Sequence, residues 1–293
     1  MIVKFFITFS LTILNTVFWC LILFFFTGLK IIMPGGKLRQ ACSRAILFCS
    51  KNWIACNNFM IDKIAGVDVE IGWKGNISKE GQYLVIANHQ SWTDILLLQK
   101  SFHNKAPFLR FFLKKQLIWL PFLGQAFLAL DFPFMNRYSK EYLEKHPEKK
   151  GKDLESTIRS CHKFAKIPFS LINFPEGTRF TKEKYQKQKP NFSKLLKPKA
   201  GGTAFALESF EGNIRSLIDV TIFYPEDSPH IVDFMNGKIK RVIIELEERK
   251  IPDHFGKCSY LNDPKYREEF QDWLNQIWLE KDNRLNKLKN EAR

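Results

Sequence analysis

Short apolar runs alternate with helical patterns over most of the chain after Gly66, and this alternation constrains the fold more than any other feature. Runs of this length, bounded by turn residues, are typical of strands in a buried, largely parallel sheet. The predicted strands are Val67–Ile71, Tyr83–Ala87, Phe108–Leu113, Phe127–Phe132, Ser170–Phe174, Ile218–Tyr224 and Arg241–Leu246. The predicted helices between them include Asp94–Lys100, Asp153–Lys166 and Thr203–Phe210. The pattern predicts an α/β fold, with a mostly parallel mixed sheet of about seven strands flanked by helices.

An uncharged apolar run, Phe5–Leu29, precedes this region. As a helix it would be about 37 Å long, enough to cross a hydrocarbon core of about 30 Å with tilt. It is too long for the apolar part of a typical signal peptide, and no small-x-small cleavage site follows it, so we expect a retained membrane helix. Basic residues are concentrated on its C-terminal side, which places the rest of the chain in the cytoplasm. A re-entrant pair of helices, with both ends on the cytoplasmic side, fits the sequence as well.

A second helix is predicted from Leu38 to Ala65, after the helix-breaking sequence Pro34-Gly35-Gly36. It mixes apolar and basic residues and contains Trp53, which suits either the lipid interface or packing against the domain. We therefore divide the chain into membrane-anchoring helices at residues 1–65 and an α/β domain at residues 66–293. The domain ends in an amphipathic helix that begins near Lys265.

The formal net charge of +15 predicts an anionic partner. Phenylalanine is frequent, with 28 residues, many of them near the N-terminus, and this favours a membrane surface over nucleic acid. The stretch Lys182–Lys199 contains seven lysines and one acidic residue, and we predict a surface loop that faces anionic headgroups. The six cysteines show no C-x-x-C spacing, so no metal site is expected.

His89 and Asp94 follow the predicted strand Tyr83–Ala87. On one continuous helix the two side chains would point about 140° apart. They can meet if His89 lies in the turn and Asp94 in the first turn of the next helix. An imidazole held on one nitrogen by a carboxylate can act as a general base through the other. Ser91-x-x-Asp94 also fits a helix capping box, which would explain Asp94 without any chemistry.

A second group of polar residues, Pro175-Glu176-Gly177-Thr178-Arg179, follows the predicted strand Ser170–Phe174. Gly177 would let a ligand approach the backbone, and the Arg179 guanidinium suits bidentate binding of a phosphate. A surface turn with an internal Glu–Arg pair is the alternative. Two further cations, Lys114 and Arg137, also come after predicted strands.

Together these segments resemble the lysophospholipid acyltransferase family, whose best-known members are the 1-acylglycerol-3-phosphate acyltransferases. The resemblance covers Gly66 to Pro225 and includes Val220–Pro225 as a fourth segment. Phe132–Ser139 and Pro198–Gly202 resemble a subgroup that contains bacterial inner-membrane members and the lysocardiolipin and lysophosphatidylinositol acyltransferases. The segment that ends at Arg137 lacks the Gly-x-Ile-x-Ile-x-Arg form of the main branch, and Val220-Thr221 replaces the usual Val-Pro. These departures leave the acceptor headgroup open.

The resemblance implies a glycerolipid acyltransferase fold and a membrane-bound enzyme without a metal or other cofactor. It would move an acyl group from acyl-CoA or acyl carrier protein to the sn-2 hydroxyl of 1-acylglycerol-3-phosphate, at the cytoplasmic face of a bacterial inner membrane. His89 would be the base and Asp94 its partner. The residues implied in acceptor binding are Lys114, Arg137, Glu176, Gly177, Thr178 and Arg179. The alternatives are an acyltransferase that acts on another lysophospholipid and a non-catalytic protein that binds membrane lipid. Nucleic acid is not expected as a partner.

Overall fold

Six strands form one mixed sheet that has β2 near its centre. In the computed structural model, which describes residues 2–33, 35–135, 146, 152–226 and 229–291, the sheet order is β1-β8-β7-β2-β6-β3. Neighbouring strands are parallel except for β7 and β8. Two short strands, β4 and β5, pair separately. The strands are β1 Asp68–Lys74, β2 Gln82–Ala87, β3 Leu109–Phe111, β4 Leu113–Lys114, β5 Phe134–Met135, β6 Phe169–Asn173, β7 Ser216–Phe223 and β8 Arg241–Lys250.

Helices cover both faces of this sheet, as the alternating pattern predicts. One face carries α1 to α4, and the opposite face carries α5, α7 and α9. A π-helical turn, Met60–Ala65, extends α2, and a 3-10 turn, Lys115–Trp119, precedes α4. The α-helices are α1 Ile2–Ile32, α2 Gly36–Phe59, α3 Thr93–Phe102, α4 Leu123–Ala129, α5 Lys152–His162, α6 Lys182–Gln188, α7 Ala200–Glu208, α8 Ile231–Met235 and α9 Pro264–Glu291.

Strand β2 shows how the sequence fills both layers of the core. Side chains alternate between the two faces of a strand. Tyr83, Val85 and Ala87 pack into the layer that contains α1 to α4. Leu84 and Ile86 pack into the layer that contains α7 and α9. Apolar residues at successive positions are therefore required, because no face of β2 reaches water.

Helices α1 and α2 form an antiparallel hairpin that packs on one layer of the domain. The Asn15 amide donates a hydrogen bond to Asn57 (2.9 Å), and the Trp53 indole N–H donates to Thr16 (3.0 Å). Many apolar side chains of α1 are nevertheless exposed, among them Phe6 and Leu14. Within the described residues, α1 is the one helix that is long and apolar enough to cross a membrane. The second predicted helix thus packs on the domain and also borders an exposed apolar surface.

The structure contradicts the predicted strand Phe127–Phe132, because α4 occupies the first part of that segment and a turn follows. Leu123, Ala126, Phe127 and Leu130 lie on one helix face and pack beneath α1. A short apolar run has no periodicity that separates a buried strand from a buried helix. The other six predicted strands are confirmed, except that Phe108–Leu113 is divided between β3 in the main sheet and β4 in the small one.

The lysine-rich stretch Lys182–Lys199 is also only partly a loop. Its first residues form α6, which the Thr181 hydroxyl caps by accepting a hydrogen bond from the Lys184 N–H (3.2 Å). Lys189 ends the helix in a left-handed conformation. The C-terminal helix is confirmed as α9, which buries its apolar stripe against the sheet.

Gly124 offers a test of the packing that places α4. A Cβ atom at this position would lie 2.2 Å from the Ile118 carbonyl oxygen, whereas a Cβ at Gly28 of α1 would meet nothing within 4 Å. We expect Gly124→Ala to destabilise the protein by about 1–3 kcal/mol through overpacking. The matched control, Gly28→Ala, should leave the melting temperature in detergent unchanged or slightly higher, since alanine favours helix. Equal melting temperatures for the two variants would contradict this account of α4.

Candidate active site

Three neighbouring strands, β7, β2 and β6, run parallel and end at the same edge of the sheet. The carboxyl ends of parallel strands are the usual place for ligands in such folds. Asn88 holds the first two ends together, because its side chain donates to the Ile222 carbonyl and accepts from the Ile222 N–H, both at 2.8 Å. The polar residues that follow β2 and β6 are thereby brought to one place, as the sequence predicts.

The His89 and Asp94 side chains are in contact. His89 Nδ1 lies 2.8 Å from Asp94 Oδ2, and α3 begins between the two residues, at Thr93. Oδ2 also accepts hydrogen bonds from the backbone N–H groups of Gln90 (2.7 Å) and Ser91 (2.9 Å). Only half of the predicted capping box forms, because Asp94 accepts from the Ser91 N–H whereas the Ser91 hydroxyl accepts from Thr93 instead of Asp94. The same Asp94 carboxylate holds both the turn and the imidazole. With Nδ1 directed at Asp94, Nε2 is the ring nitrogen left to accept a proton.

Tyr224, at the end of β7, completes the surroundings of Asp94. Its hydroxyl donates to Asp94 Oδ1 at 2.6 Å and lies 2.8 Å from the Thr93 hydroxyl. Burial raises the pKa of this hydroxyl well above its usual value, and the charge of Asp94 raises it further. Tyr224 therefore stays a hydrogen-bond donor. Tyr224 is not among the residues predicted from the sequence, although it is a polar residue at the end of a predicted strand, like the other site residues.

Phe174 and Glu176, after β6, fix the His89 turn from the other side. The Phe174 ring stacks on the imidazole with centroids 4.1 Å apart. Glu176 is 1% exposed, and its two oxygens accept from the backbone N–H groups of His89 and Leu196, each at 3.3 Å. Burial raises the pKa of Glu176 to about 8, against the lowering effect of these two hydrogen bonds. Glu176 thus joins three segments of backbone.

Helix α9 holds the segment around Leu196, residues 193–200, in place through side-chain hydrogen bonds. The Asp282 carboxylate accepts from the backbone N–H groups of Ser193 and Lys194, both at 2.8 Å. The Gln271 side chain donates to the Pro198 carbonyl (3.1 Å) and accepts from the Ala200 N–H (3.2 Å). A continuous chain of contacts therefore runs from α9 through this segment and Glu176 to His89.

The turn after β6 presents Gly177, Thr178 and Arg179 at the surface of the site. Gly177 has a φ of +68°, a left-handed conformation that favours glycine. The Thr178 hydroxyl accepts a hydrogen bond from the Lys184 ammonium at 2.6 Å. The Arg179 guanidinium lies over the Trp92 ring, 4.5 Å from its centroid. Among the described residues Arg179 forms no ion pair, so the alternative of an internal Glu–Arg pair in this turn does not hold.

A cavity of about 760 Å³ lies beside the His89 turn. Gln90, Ser91 and Trp92 line one side of it, and α6 and the end of α9 line the others. Among the residues that the structure describes, its lining includes one carboxylate, that of Glu226, and five cationic side chains. The cations are Arg179, Lys182, Lys184, Lys194 and Lys289. Such an excess of positive charge suits a phosphorylated ligand. The lysines of α6 and α9 were not among the predicted site residues, because only the fold brings them here.

The two remaining predicted cations are Lys114 and Arg137. Lys114 is exposed in β4, on the small separate sheet, and does not line the cavity. Arg137 lies outside the residues that the structure describes. Within the described part of the chain, no cluster of three or more His, Cys, Asp or Glu side chains is arranged to hold a metal ion.

The raised pKa of Glu176 predicts a pH-dependent stability. Its pKa in the folded protein, about 8, exceeds the ordinary value of 4.5, so the folded state binds this proton more tightly than the unfolded state does. This contribution to stability is complete below about pH 4.5 and is lost as the pH rises through about 8. The melting temperature of the wild type, relative to that of Glu176→Gln, should therefore fall between pH 5 and pH 8. Each kcal/mol lost from the free energy of unfolding lowers it by roughly 2–4 °C.

Glu80→Gln, at an exposed position, is the matched control for this measurement. Its melting temperature should run parallel to that of the wild type across the same pH range. Parallel profiles for Glu176→Gln and the wild type would show that the Glu176 carboxyl does not titrate in this range.

A family model described as acyltransferase matches residues 68–224, more than half of the chain. The chain is 24% identical to the probable 1-acyl-sn-glycerol-3-phosphate acyltransferase 5 of Arabidopsis thaliana, over 94% of this chain and 71% of that protein. It is 26% identical to the 2-acyl-1-lysophosphatidylinositol acyltransferase of Saccharomyces cerevisiae, over 68% of this chain and 59% of that protein. It is also 24% identical to lysocardiolipin acyltransferase 1 of Gallus gallus, over 80% of this chain and 61% of that protein. The matched region thus spans between 59% and 71% of the length of these relatives.

The crystal structure of the 1-acyl-sn-glycerophosphate acyltransferase PlsC from Thermotoga maritima has the same fold. The TM-score is 0.53 at 17% identity, with 95% of this chain and 96% of that chain covered. The predicted fold and the resemblance carried by the sequence motifs are both confirmed. Because the family model includes the turns that contain His89 and Glu176 and spans more than half of the chain, this protein belongs to the acyltransferase family.

Proposed function

We propose that this protein is a membrane-bound O-acyltransferase that acylates the sn-2 hydroxyl of 1-acylglycerol-3-phosphate to make phosphatidic acid. The observation that carries the proposal is the contact between His89 and Asp94 at the carboxyl edge of the sheet, beside a cavity rich in positive charge. A protein that only binds lipid has no need of an oriented base. This arrangement therefore favours catalysis over lipid binding alone.

In the proposed reaction, His89 Nε2 accepts the proton of the acceptor hydroxyl as the hydroxyl oxygen attacks the thioester carbonyl of the donor. The tetrahedral intermediate then collapses, the C–S bond breaks, and the imidazolium returns the proton to the departing thiolate. Asp94 holds Nδ1–H and stabilises the positive charge that forms on the ring. The donor is acyl-CoA or acyl carrier protein. We expect direct transfer without an acyl-enzyme, since none of the cysteines and serines that the structure describes lies in a recognisable nucleophile setting.

Arg179 is the residue best placed to hold the acceptor phosphate. It lines the cationic cavity, is stacked on Trp92, and has no carboxylate partner among the described residues. Lys114, Arg137, Gly177 and Thr178 remain further candidates for contacts with the acceptor. Glu176 differs from them, because its burial and its two backbone hydrogen bonds favour positioning of His89 over direct contact with the acceptor.

The α1–α2 hairpin is proposed to hold the enzyme at the cytoplasmic face of a bacterial inner membrane. The exposed apolar side chains of α1 form a surface that suits lipid. Lys4 lies beside Gly66 and Gly237, which follow the π-helical turn and α8, and the later part of α1 packs on α4, so the helix runs along the domain. This packing along the domain favours a hairpin that enters the bilayer from one side over a helix that crosses the bilayer and extends away from the domain.

A remodelling reaction on another headgroup is the second candidate. It is favoured by the names of two relatives, a lysophosphatidylinositol and a lysocardiolipin acyltransferase, and by the departures in the segments that end at Arg137 and Pro225. The chemistry at His89 would be the same, and only the residues that face the acceptor headgroup would differ.

Replacing His89 tests the function itself. Membranes that contain wild-type protein should transfer labelled acyl groups from acyl-CoA to lysophosphatidic acid, and His89→Ala should lose at least the factor of about 10²–10⁴ that a general base supplies. His254→Ala is the control, because that exposed histidine pairs with Glu269 away from the site.

Parallel assays should test lysophosphatidylinositol, lysophosphatidylglycerol and glycerol-3-phosphate as acceptors. All the assays should then be repeated with acyl carrier protein as the donor. Product from another lysolipid alone would select the remodelling reaction. No product with any combination would overturn the enzymatic proposal.

Replacing Arg179 tests how the acceptor is bound. Arg179→Ala should raise KM for the lysophospholipid by about tenfold or more, the cost of one charge-assisted contact, with a smaller effect on KM for acyl-CoA. Arg215→Ala, which removes an exposed guanidinium bound to the Asp253 carbonyl, should change neither constant. Equal increases in both constants for Arg179→Ala would indicate a structural role instead.

A further inference from the structure

A second cationic cavity, of about 640 Å³, lies away from the His89 site. It is lined by the end of α3 and by the segments that lead into β3 and β6, which belong to the opposite edge of the sheet. Helix α3 begins near His89 and ends at this cavity, and its ten residues span about 15 Å. The two cavities have no lining residue in common.

Positive charge dominates this second cavity. In the described part of the chain, its lining includes two carboxylates, those of Glu80 and Asp131, and six cationic side chains. The cations are Lys30, Arg44, Lys51, Lys79, Arg110 and Lys163. They come from five separate parts of the fold, so local sequence does not explain their convergence. These charges line one cavity, where their fields add, unlike charges spread evenly over a surface.

Arg110 is the exceptional member of the group. It is 5% exposed, and its guanidinium lies between two aromatic rings, 5.4 Å from the Phe108 centroid and 4.8 Å from the Phe164 centroid. Its Nε donates to the Leu130 carbonyl at 3.3 Å, but Nη1 is buried without a hydrogen-bond partner in the described part of the chain. Burial lowers the pKa of Arg110 to about 10, and the charge of Asp131 offsets part of this effect.

An unpaired buried guanidinium N–H costs stability unless a ligand satisfies it. Asp131 does not do so, since no ion pair joins it to Arg110 among the described residues. Arginine is the side chain best suited to bind a phosphate through parallel N–H groups, and the surrounding lysines supply the remaining charge.

We propose that this cavity is a second anion site, which binds a phosphate group through Arg110 and is closed at its rim by Arg44 and Lys51. Two of its walls, at Lys30 and along α2, belong to the hairpin whose outer face is apolar and exposed. A phospholipid headgroup therefore reaches the rim from the bilayer itself. Binding there would orient the domain on an anionic membrane, independently of the reaction at His89.

Matched double variants on α2 test this site. Arg44→Gln/Lys51→Gln removes two exposed rim charges, whereas Lys37→Gln/Arg39→Gln removes two exposed charges of the same helix that do not line the cavity. Both pairs change the general attraction to anions equally. The ligands are dihexanoyl phosphatidylglycerol below its micelle concentration and inorganic phosphate, titrated calorimetrically into the full chain in neutral detergent.

We expect the rim pair to raise Kd for at least one ligand by about tenfold or more and the control pair to leave it nearly unchanged. Arg110→Met, checked for folding by circular dichroism, should weaken binding further; if it does not fold, the rim pair decides. Binding of the lipid alone assigns the site to headgroups, and equal binding of inorganic phosphate assigns it to soluble phosphate compounds. Equal Kd values for the two pairs, or no binding of either ligand, would overturn the proposal.

Discussion

The buried carboxylate of Asp94 is the interaction on which the rest of the site depends. A carboxylate without solvent is stable only when hydrogen bonds compensate its lost hydration, and Asp94 receives them from three directions. The turn supplies two backbone N–H groups, β7 supplies the Tyr224 hydroxyl, and His89 supplies Nδ1. One side chain therefore holds the turn before α3, links the ends of β2 and β7, and orients the imidazole.

The surroundings of this carboxylate form a rigid frame built from distant parts of the chain. Glu176 joins the turns after β2 and β6, and α9 holds the segment that Glu176 binds. Lys281, one residue before Asp282, is buried and donates to the Val220 carbonyl of β7 at 2.7 Å. Helix α9 thus binds both the sheet and the segment around Leu196 that Glu176 contacts. Sites held by buried polar contacts of this kind keep their geometry better than sites on free loops.

The exposed apolar side chains and the clustered cations are a second feature of the structure. The hairpin α1–α2 leaves apolar side chains exposed along one layer, while each cavity collects an excess of cations. Apolar surface of this extent suits lipid, and the cations suit the phosphate groups of lipids or of their precursors. Part of the positive charge behind the net +15 thus lines two cavities, whereas the composition alone does not distinguish this arrangement from a uniform surface charge.

The sequence by itself determined six strands of the sheet, the alternating helices, the apolar α1 and the two turns that carry His89 and Glu176. These features depend on periodicity and turn residues over a few positions, which are local properties. Only the tertiary structure decided that Leu123–Ala129 is a helix, that Glu176 is buried, and that Tyr224 binds Asp94. Those outcomes depend on contacts between residues far apart, such as Asp282 and Lys194, which are 88 positions apart. No local pattern encodes such pairs, because each partner looks like an ordinary surface residue until the fold brings the two together.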